Sequence, residues 1–287
     1  MTTTNGNTNA STAVPNPGLS LELKGKIAFV TGGGRGIGLA ITQQLAKAGA
    51  TVVITWNSRD ATPVAEQVAA ETGSTVLAYH CPGEQSAVVN EVVDRVSREV
   101  GEVDFVVCNA GVCKHQDTVD MTDDDLAFVM QNNLFAPLYL SRAFVRHWLG
   151  LKTAVSQQSS YPPRPEYRTL DKKIIFISSI SGVVSMTPQN QVSYNSSKAG
   201  LTMAAKSLAG EWAQYGIAVN ALSPGYVSTD MTSCDPAWMQ KWSDMTPFGR
   251  FAQPAELGNM VVLMCSGLAS RFLTGHDLVM DGGYTVY

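Results

Sequence analysis

Tyr194 and Lys198 stand four residues apart in the run SYNSSKAG, and of the nine tyrosines only Tyr194 has a lysine at that spacing. On a helix, side chains four apart project from one face. A phenol with a reference pKa of roughly 10 can give up a proton but is a poor base at neutral pH. A nearby ammonium favours the phenolate, so Lys198 is expected to bring the Tyr194 pKa towards the working range. In isolation such a pair also fits a half-buried tyrosine beside a snorkelling lysine. Upstream, Ser179 lies fifteen residues before Tyr194 at the end of the apolar run KKIIFIS, with Ser181 two positions on. A serine hydroxyl there can hydrogen-bond a substrate oxygen as charge develops on it.

A second constellation lies near the N-terminus. The apolar run IAFVT leads into Thr31-Gly32-Gly33-Gly34-Arg35-Gly36-Ile37-Gly38, followed by a helix-period stretch to Lys47. Glycine at 32, 36 and 38 lets the backbone turn tightly, approach a pyrophosphate and pack the helix against the sheet. The helix N-terminus then offers free N–H groups to negative charge. The strand–loop–helix context raises this run from a pattern to a dinucleotide site. At the end of the next strand, enzymes that use NAD place a carboxylate for the ribose hydroxyls. Here Trp56 holds that position, followed by Asn57, Ser58 and Arg59. Guanidinium, hydroxyl and amide groups suit a ribose 2′-phosphate. NADP(H) is therefore the expected cofactor, with Arg35 and Arg59 as its phosphate partners; the alternative is that both are ordinary solvated charges.

The elements that must position these groups alternate regularly. Seven short Val- and Ile-rich runs (IAFVT, TVVIT, STVLAY, VDFVVCN, KKIIFIS, IAVNAL, HDLVM) are separated by helix-period stretches, including long ones over about 123–148 and 193–215. Such runs are strands buried on both faces of a parallel sheet. The expected fold is a single-domain, Rossmann-type doubly wound α/β structure over residues 21–287, a seven-stranded parallel sheet flanked by helices. Residues 1–20 are polar and are expected to form a disordered tail. The Pro-rich segment 150–172 reads as a surface insertion. Residues 230–250 carry Met231, Trp238, Met239, Trp242 and Met245, and fit either an apolar lid over a substrate or plain packing on a neighbouring helix.

Net charge of −4 leaves no basic footprint for nucleic acid or an anionic membrane. No apolar run approaches the roughly 20 residues that span a bilayer. The five cysteines (Cys81, Cys108, Cys113, Cys234 and Cys265) show neither CxxC nor metal-ligand spacing and read as reduced thiols. The four histidines form no metal site, and none is expected; His115 is expected at the surface, with the pocket wall as the alternative. A cytoplasmic protein acting on a small molecule is expected.

The TGxxxGxG spacing resembles the short-chain dehydrogenase/reductase family over about Leu23 to Tyr287. Further matches follow in family order: Asn109-Ala110-Gly111, Asn133 in NNL, Ser179 in ISSISG, Tyr194 with Lys198, Pro224-Gly225 and Asp281-Gly282-Gly283. The resemblance implies hydride transfer between nicotinamide and a ketone or secondary alcohol. Tyr194 would be the proton donor, Ser179 the oxygen partner and Asn133 a member of a proton relay with Lys198. Relatives often space the serine by thirteen, which would select Ser181. The ISSxxG pattern fixes Ser179 relative to the strand end, so Ser179 is preferred and Ser181 is the fallback. Lys198 would hold the nicotinamide ribose, and the Val227 backbone and Thr229 hydroxyl would meet the carboxamide. The alternative is that Asn133 only satisfies backbone groups within its helix. Where many relatives carry Asp-Val, this chain reads Cys81-Pro82-Gly83, so no adenine contact is assigned. Within the family the chain looks most like reductases of ketoses, polyols and stereoselectively handled carbonyls, or a tailoring enzyme acting on a biosynthetic carbonyl intermediate. A non-redox scaffold or sensor that only binds cofactor is the alternative from a different class. Relatives assemble as dimers and tetramers, and the long apolar helices fit a homo-oligomer, a homotetramer above all.

Overall fold

The computed structural model describes residues 20–155, 170–233, 235–267 and 270–287. The expected tail, apart from residue 20, and residues 156–169 of the expected insertion lie outside the described residues.

Seven parallel strands form one sheet in the order β3-β2-β1-β4-β5-β6-β7. They are β1 (Ile27–Thr31), β2 (Thr51–Trp56), β3 (Val76–His80), β4 (Phe105–Cys108), β5 (Lys172–Ile177), β6 (Ile217–Pro224) and β7 (Asp277–Met280). Helices α1 (Gly36–Lys47), α2 (Thr62–Thr72) and α3 (Ser86–Glu99) connect the first four strands. Helices α4 (Asp123–Met130), α5 (Ala136–Trp148), α6 (Val192–Trp212), α7 (Pro236–Asp244) and α8 (Pro254–Cys265) follow. The winding reverses between β1 and β4, and crevices at such switch points take ligands.

Strand side chains alternate between faces, and here both faces are buried. Phe29, Val53, Val106, Ile174 and Phe176 pack on α3, α5 and α6. Val30, Ile54, Val107, Ile175 and Ile177 pack on α1 and α8. Polar β5 positions fit this dry environment only because they are paired. Lys173 Nζ donates to the Cys265 and Ser266 carbonyls at the end of α8, at 3.2 and 2.8 Å, and Lys172 pairs with Glu102 and Asp104.

Two expectations need correction. The stretch 123–148 is helical but not uniform: α4 and α5 are joined by a π-helical segment, Gln131–Phe135, which contains Asn133. Such bulges insert one residue into the ladder and often sit at functional sites. The stretch 230–250, read without a helix of its own, contains α7. Asp235 caps α7 by accepting from the Ala237 and Trp238 N–H groups, and Pro236 opens the helix.

Candidate active site

Tyr194 is the third residue of α6, so its place depends on how α6 starts against β5. Ser178 Oγ bonds the Lys198 carbonyl at 3.0 Å and the Thr202 hydroxyl at 2.8 Å, tying the helix to the strand end. Gly182, in the short turn after β5, lies so close to α6 that a Cβ would stand 2.7 Å from the Ala199 nitrogen. This docking sets the Ser179 hydroxyl beside the Tyr194 phenol. Ser181 instead accepts from Gln191 Nε2 at 3.0 Å. Of the two serines, Ser179 is the one that neighbours the Tyr194 phenol.

Lys198 is 4% exposed; its Nζ donates to the Ile177 carbonyl at 2.8 Å and lies 5.5 Å from the Tyr194 ring centroid. Burial lowers its pKa to about 8, with the neighbouring Cys113 acting in the opposite sense. The expectation that Lys198 draws the Tyr194 pKa down is not met. Burial raises the Tyr194 pKa, Cys113 adds to the rise, and the Ser179 hydrogen bond opposes it. Removing water costs the phenolate more than the surrounding dipoles return, so the group stands as a neutral phenol.

Asn133 is fully buried, and its amide is committed. Oδ1 accepts from the Val112 N–H and Nδ2 donates to the Val112 carbonyl, both at 2.8 Å; Nδ2 also lies 3.1 Å from Ser197 Oγ. The side chain therefore joins the β4–α4 loop to α6. It satisfies backbone groups, but those of the loop after Gly111 and not those of its own helix.

The dinucleotide constellation gathers at the switch point. Gly32 and Gly36 have φ of +63° and +52°, the left-handed region that glycine enters freely. A Cβ on Gly38 would collide with the Gly32 carbonyl. Arg35 caps α1 without a side-chain bond, and the first turn, including Ile37, holds no acidic residue, so its N–H groups remain open to an anion. Asn109 fixes the loop: Nδ2 donates to the Thr31 carbonyl at 2.9 Å, while the Asn109 and Ala110 N–H groups bond Thr31 Oγ1. Across the crevice, Pro224 ends β6 and the Gly225 N–H bonds the Met280 carbonyl. Val227 bridges to Ala252, and the Thr229 methyl would lie 3.6 Å from a Cβ on Gly36. The cradle is thus one that side chains would fill, and it fits a dinucleotide. At the end of β2, Asn57, Ser58 and Arg59 are exposed. His80 stacks on Trp56 at 4.4 Å and donates to the Asn57 carbonyl at 3.0 Å, bracing this strand end. Cys81 is buried in the core, with its N–H on the Trp56 carbonyl.

One group here was not singled out from sequence. Gln191, immediately before α6, donates to Ser181 and Asn195 and meets Cys113. His115 is exposed, as expected, and packs on Trp238 of α7, ring centroids 5.5 Å apart. Trp242 is buried, stacked on Tyr226 and bonded through Nε1 to Gln189 Oε1 at 3.0 Å. The signal for Gln191 was its place three residues before Tyr194, one turn back on the same face.

Open donors at the switch point, facing buried Ser179 and Lys198 with a half-buried Tyr194 between them, define a nicotinamide-dependent oxidoreductase. The family model described as enoyl-(acyl carrier protein) reductase matches residues 32–285, and the chain belongs to the short-chain dehydrogenase/reductase family. A sorbose reductase of Candida albicans is 35% identical over 266 residues, covering 92% of this chain and 88% of that protein. An NADP-dependent mannitol dehydrogenase of Alternaria alternata is 36% identical over 270 residues, covering 92% and 94%. A short-chain type dehydrogenase/reductase of Mycobacterium marinum superposes with a TM-score of 0.84 at 30% identity, covering 93% of this chain and 98% of that one.

Proposed function

We propose that this chain is an NADP(H)-dependent ketoreductase acting on a ketose, the corresponding polyol or a related carbonyl intermediate, with Tyr194 as proton donor. The observation that carries the reading is the convergence of Tyr194, Ser179 and Lys198, with the buried Lys198 ammonium 5.5 Å from the Tyr194 ring centroid. A bound nicotinamide supplies the hydride for ketone reduction or accepts it in the reverse direction. Ser179 orients the substrate oxygen, and Tyr194 gives it a proton as charge develops there. Lys198, charged below a pH of about 8, stabilises the phenolate left behind and holds the ribose hydroxyls. Asn133 keeps the loop after Gly111 against α6, which sets the path by which Lys198 is reprotonated.

Gly32, Gly36, Ile37 and Gly38 with Asn109, Ala110 and Gly111 form the pyrophosphate and ribose side of the cradle. Pro224, Gly225, Val227 and Thr229 form the nicotinamide side. Asn57, Ser58, Arg59 and Arg35 take the 2′-phosphate. The NADP-linked mannitol dehydrogenase and the sorbose reductase support both the cofactor and the substrate class. Residues 230–250 act as a lid over the substrate, with Trp238 facing His115. Among the described residues no helix is long and apolar enough to cross a membrane, which fits a cytoplasmic enzyme. Phe128, Phe135, Val192 and Met203 are exposed on α4, the π-helical segment and α6, a surface suited to dimer or tetramer contacts. The test is NADPH oxidation followed with a panel of ketoses, diketones and simple ketones. Turnover of a ketose is expected; NADPH binding without turnover of any carbonyl would overturn the reading.

A further inference from the structure

The loop after β2 carries exposed side chains on a backbone that is held at both ends. Trp56, the last residue of β2, pairs in register with His80, the last residue of β3. His80 is exposed, and its ring lies against the Trp56 indole with centroids 4.4 Å apart. Its Nε2 stands 3.0 Å from the Asn57 carbonyl oxygen. A carbonyl can only accept, so Nε2 carries the hydrogen and donates it. The peptide unit is planar, so a fixed Asn57 carbonyl also fixes the Ser58 N–H and the course on which Ser58 and Arg59 leave the strand. At the far end, Asp60 Oδ1 accepts from the Thr62 N–H at 2.8 Å and from the Thr62 hydroxyl at 2.7 Å. That carboxylate is committed to the start of α2, and Arg59 has no ion-pair partner among the described residues. Gly34 packs so closely on the same segment that a Cβ would stand 2.8 Å from the Ala61 Cβ, which sets the glycine loop carrying Arg35 beside it.

We propose that His80 is a positioning residue for the cofactor's 2′-phosphate: by holding the Asn57 carbonyl it pre-arranges Asn57, Ser58 and Arg59, and so favours NADPH over NADH. This rests on the NADP(H) reading above and deepens it, since His80 acts through the Asn57 carbonyl. A loop with a free backbone must be ordered when the phosphate arrives, and that ordering subtracts from affinity. A loop already held avoids the loss. NADH has no 2′-phosphate for these side chains to collect, so the same clamp adds nothing to its binding. One exposed hydrogen bond to a carbonyl contributes little to the stability of a seven-stranded sheet, and its effect is local.

The experiment titrates the full chain with NADPH and with NADH, followed by cofactor fluorescence. Wild type is expected to bind NADPH more tightly. His80→Ala should weaken NADPH by about three- to tenfold, the contribution of one hydrogen bond, and leave NADH within about twofold of wild type. His80→Phe keeps a ring against Trp56 without the donor and should match His80→Ala. His80→Gln places an amide N–H at the reach of the imidazole Nε2 and should recover most of the NADPH affinity. A merely structural His80 would weaken both cofactors alike, and that result overturns the proposal. So does full NADPH affinity in His80→Ala or His80→Phe, or a His80→Gln no better than His80→Phe. If Arg59→Ala erodes the NADPH preference while His80→Ala does not, the phosphate reading stands without its clamp. Wild type binding NADPH no more tightly than NADH would remove the parent reading and this one with it.

Discussion

At the carboxyl end of β2, Asn57, Ser58 and Arg59 are exposed, and neither Arg35 nor Arg59 has an ion-pair partner among the described residues. At the carboxyl end of β5, Ser178, Ser179, Ser181 and Lys198 are buried, and each is held by hydrogen bonds. The two ends face different problems. Groups that capture a charged phosphate from water do so best from water, where solvent compensates them until the ligand arrives. Groups that move a proton need pKa values displaced from their solution range, and burial is the means available. Recognition and chemistry are thus separated in one crevice by solvent exposure.

Damage to the closed end should therefore abolish turnover with little effect on cofactor affinity. Tyr194→Phe is expected to lower kcat by at least roughly 100-fold, at the low end of general acid catalysis, while NADPH titration shows near wild-type binding. Loss of both together would mean that Tyr194 serves the fold more than the proton.

Damage to the open end should do the reverse. A hydrogen bond to a charged group contributes about 1.5–3 kcal/mol, so Arg59→Ala should weaken NADPH by roughly 10- to 150-fold and leave NADH nearly unchanged. Trp56→Asp should move the preference towards NADH by opposing the phosphate and offering the ribose an acceptor. If Arg59→Ala alters neither affinity in fluorescence titrations, Arg35 with Ser58 becomes the phosphate site.

The smallest expected effect concerns stability. The Lys198 pKa is lowered on folding, so between about 8 and its unfolded value near 10.4 the unfolded chain binds more protons. Stability must then rise with pH in that window, by at most about 1.4 kcal/mol per unit from this group. Below a pH of about 8 both states are protonated, and the buried charge exerts its full cost. Denaturant titrations of wild type against Lys198→Met across the lower part of this window should show the wild type gaining on the variant as pH rises. The same ionisation predicts that kcat/KM for ketone reduction falls as pH rises through about 8.

Much of this was legible in the residues. The seven strands were visible because strands buried on both faces are written as Val- and Ile-rich runs. Ser179 could be chosen over Ser181 because the strand end, and not the count back from Tyr194, sets its place. The π-helical segment around Asn133 was not legible, since a one-residue insertion in a helical ladder has no compositional mark. Helix α7 is marked by the start signal Asp235-Pro236, but its Trp and Met residues fit a lid and a packed face equally and hide its period. The direction of the Tyr194 pKa depended on burial, which a motif does not contain. Gln191 escaped notice for the same reason: its importance lies in three partners brought from separate segments.

The central claim is that hydride passes between nicotinamide and a carbonyl carbon in this crevice. It is tested most directly by supplying NADPH deuterated at either face of C4 together with a ketohexose and analysing the hexitol formed. The account predicts deuterium on the new carbinol carbon from one of the two deuterated faces, and none when Tyr194→Phe replaces the wild type over the same time. Hexitol without deuterium from either face, or NADPH left unoxidised with the ketohexose and every other carbonyl offered, would contradict it.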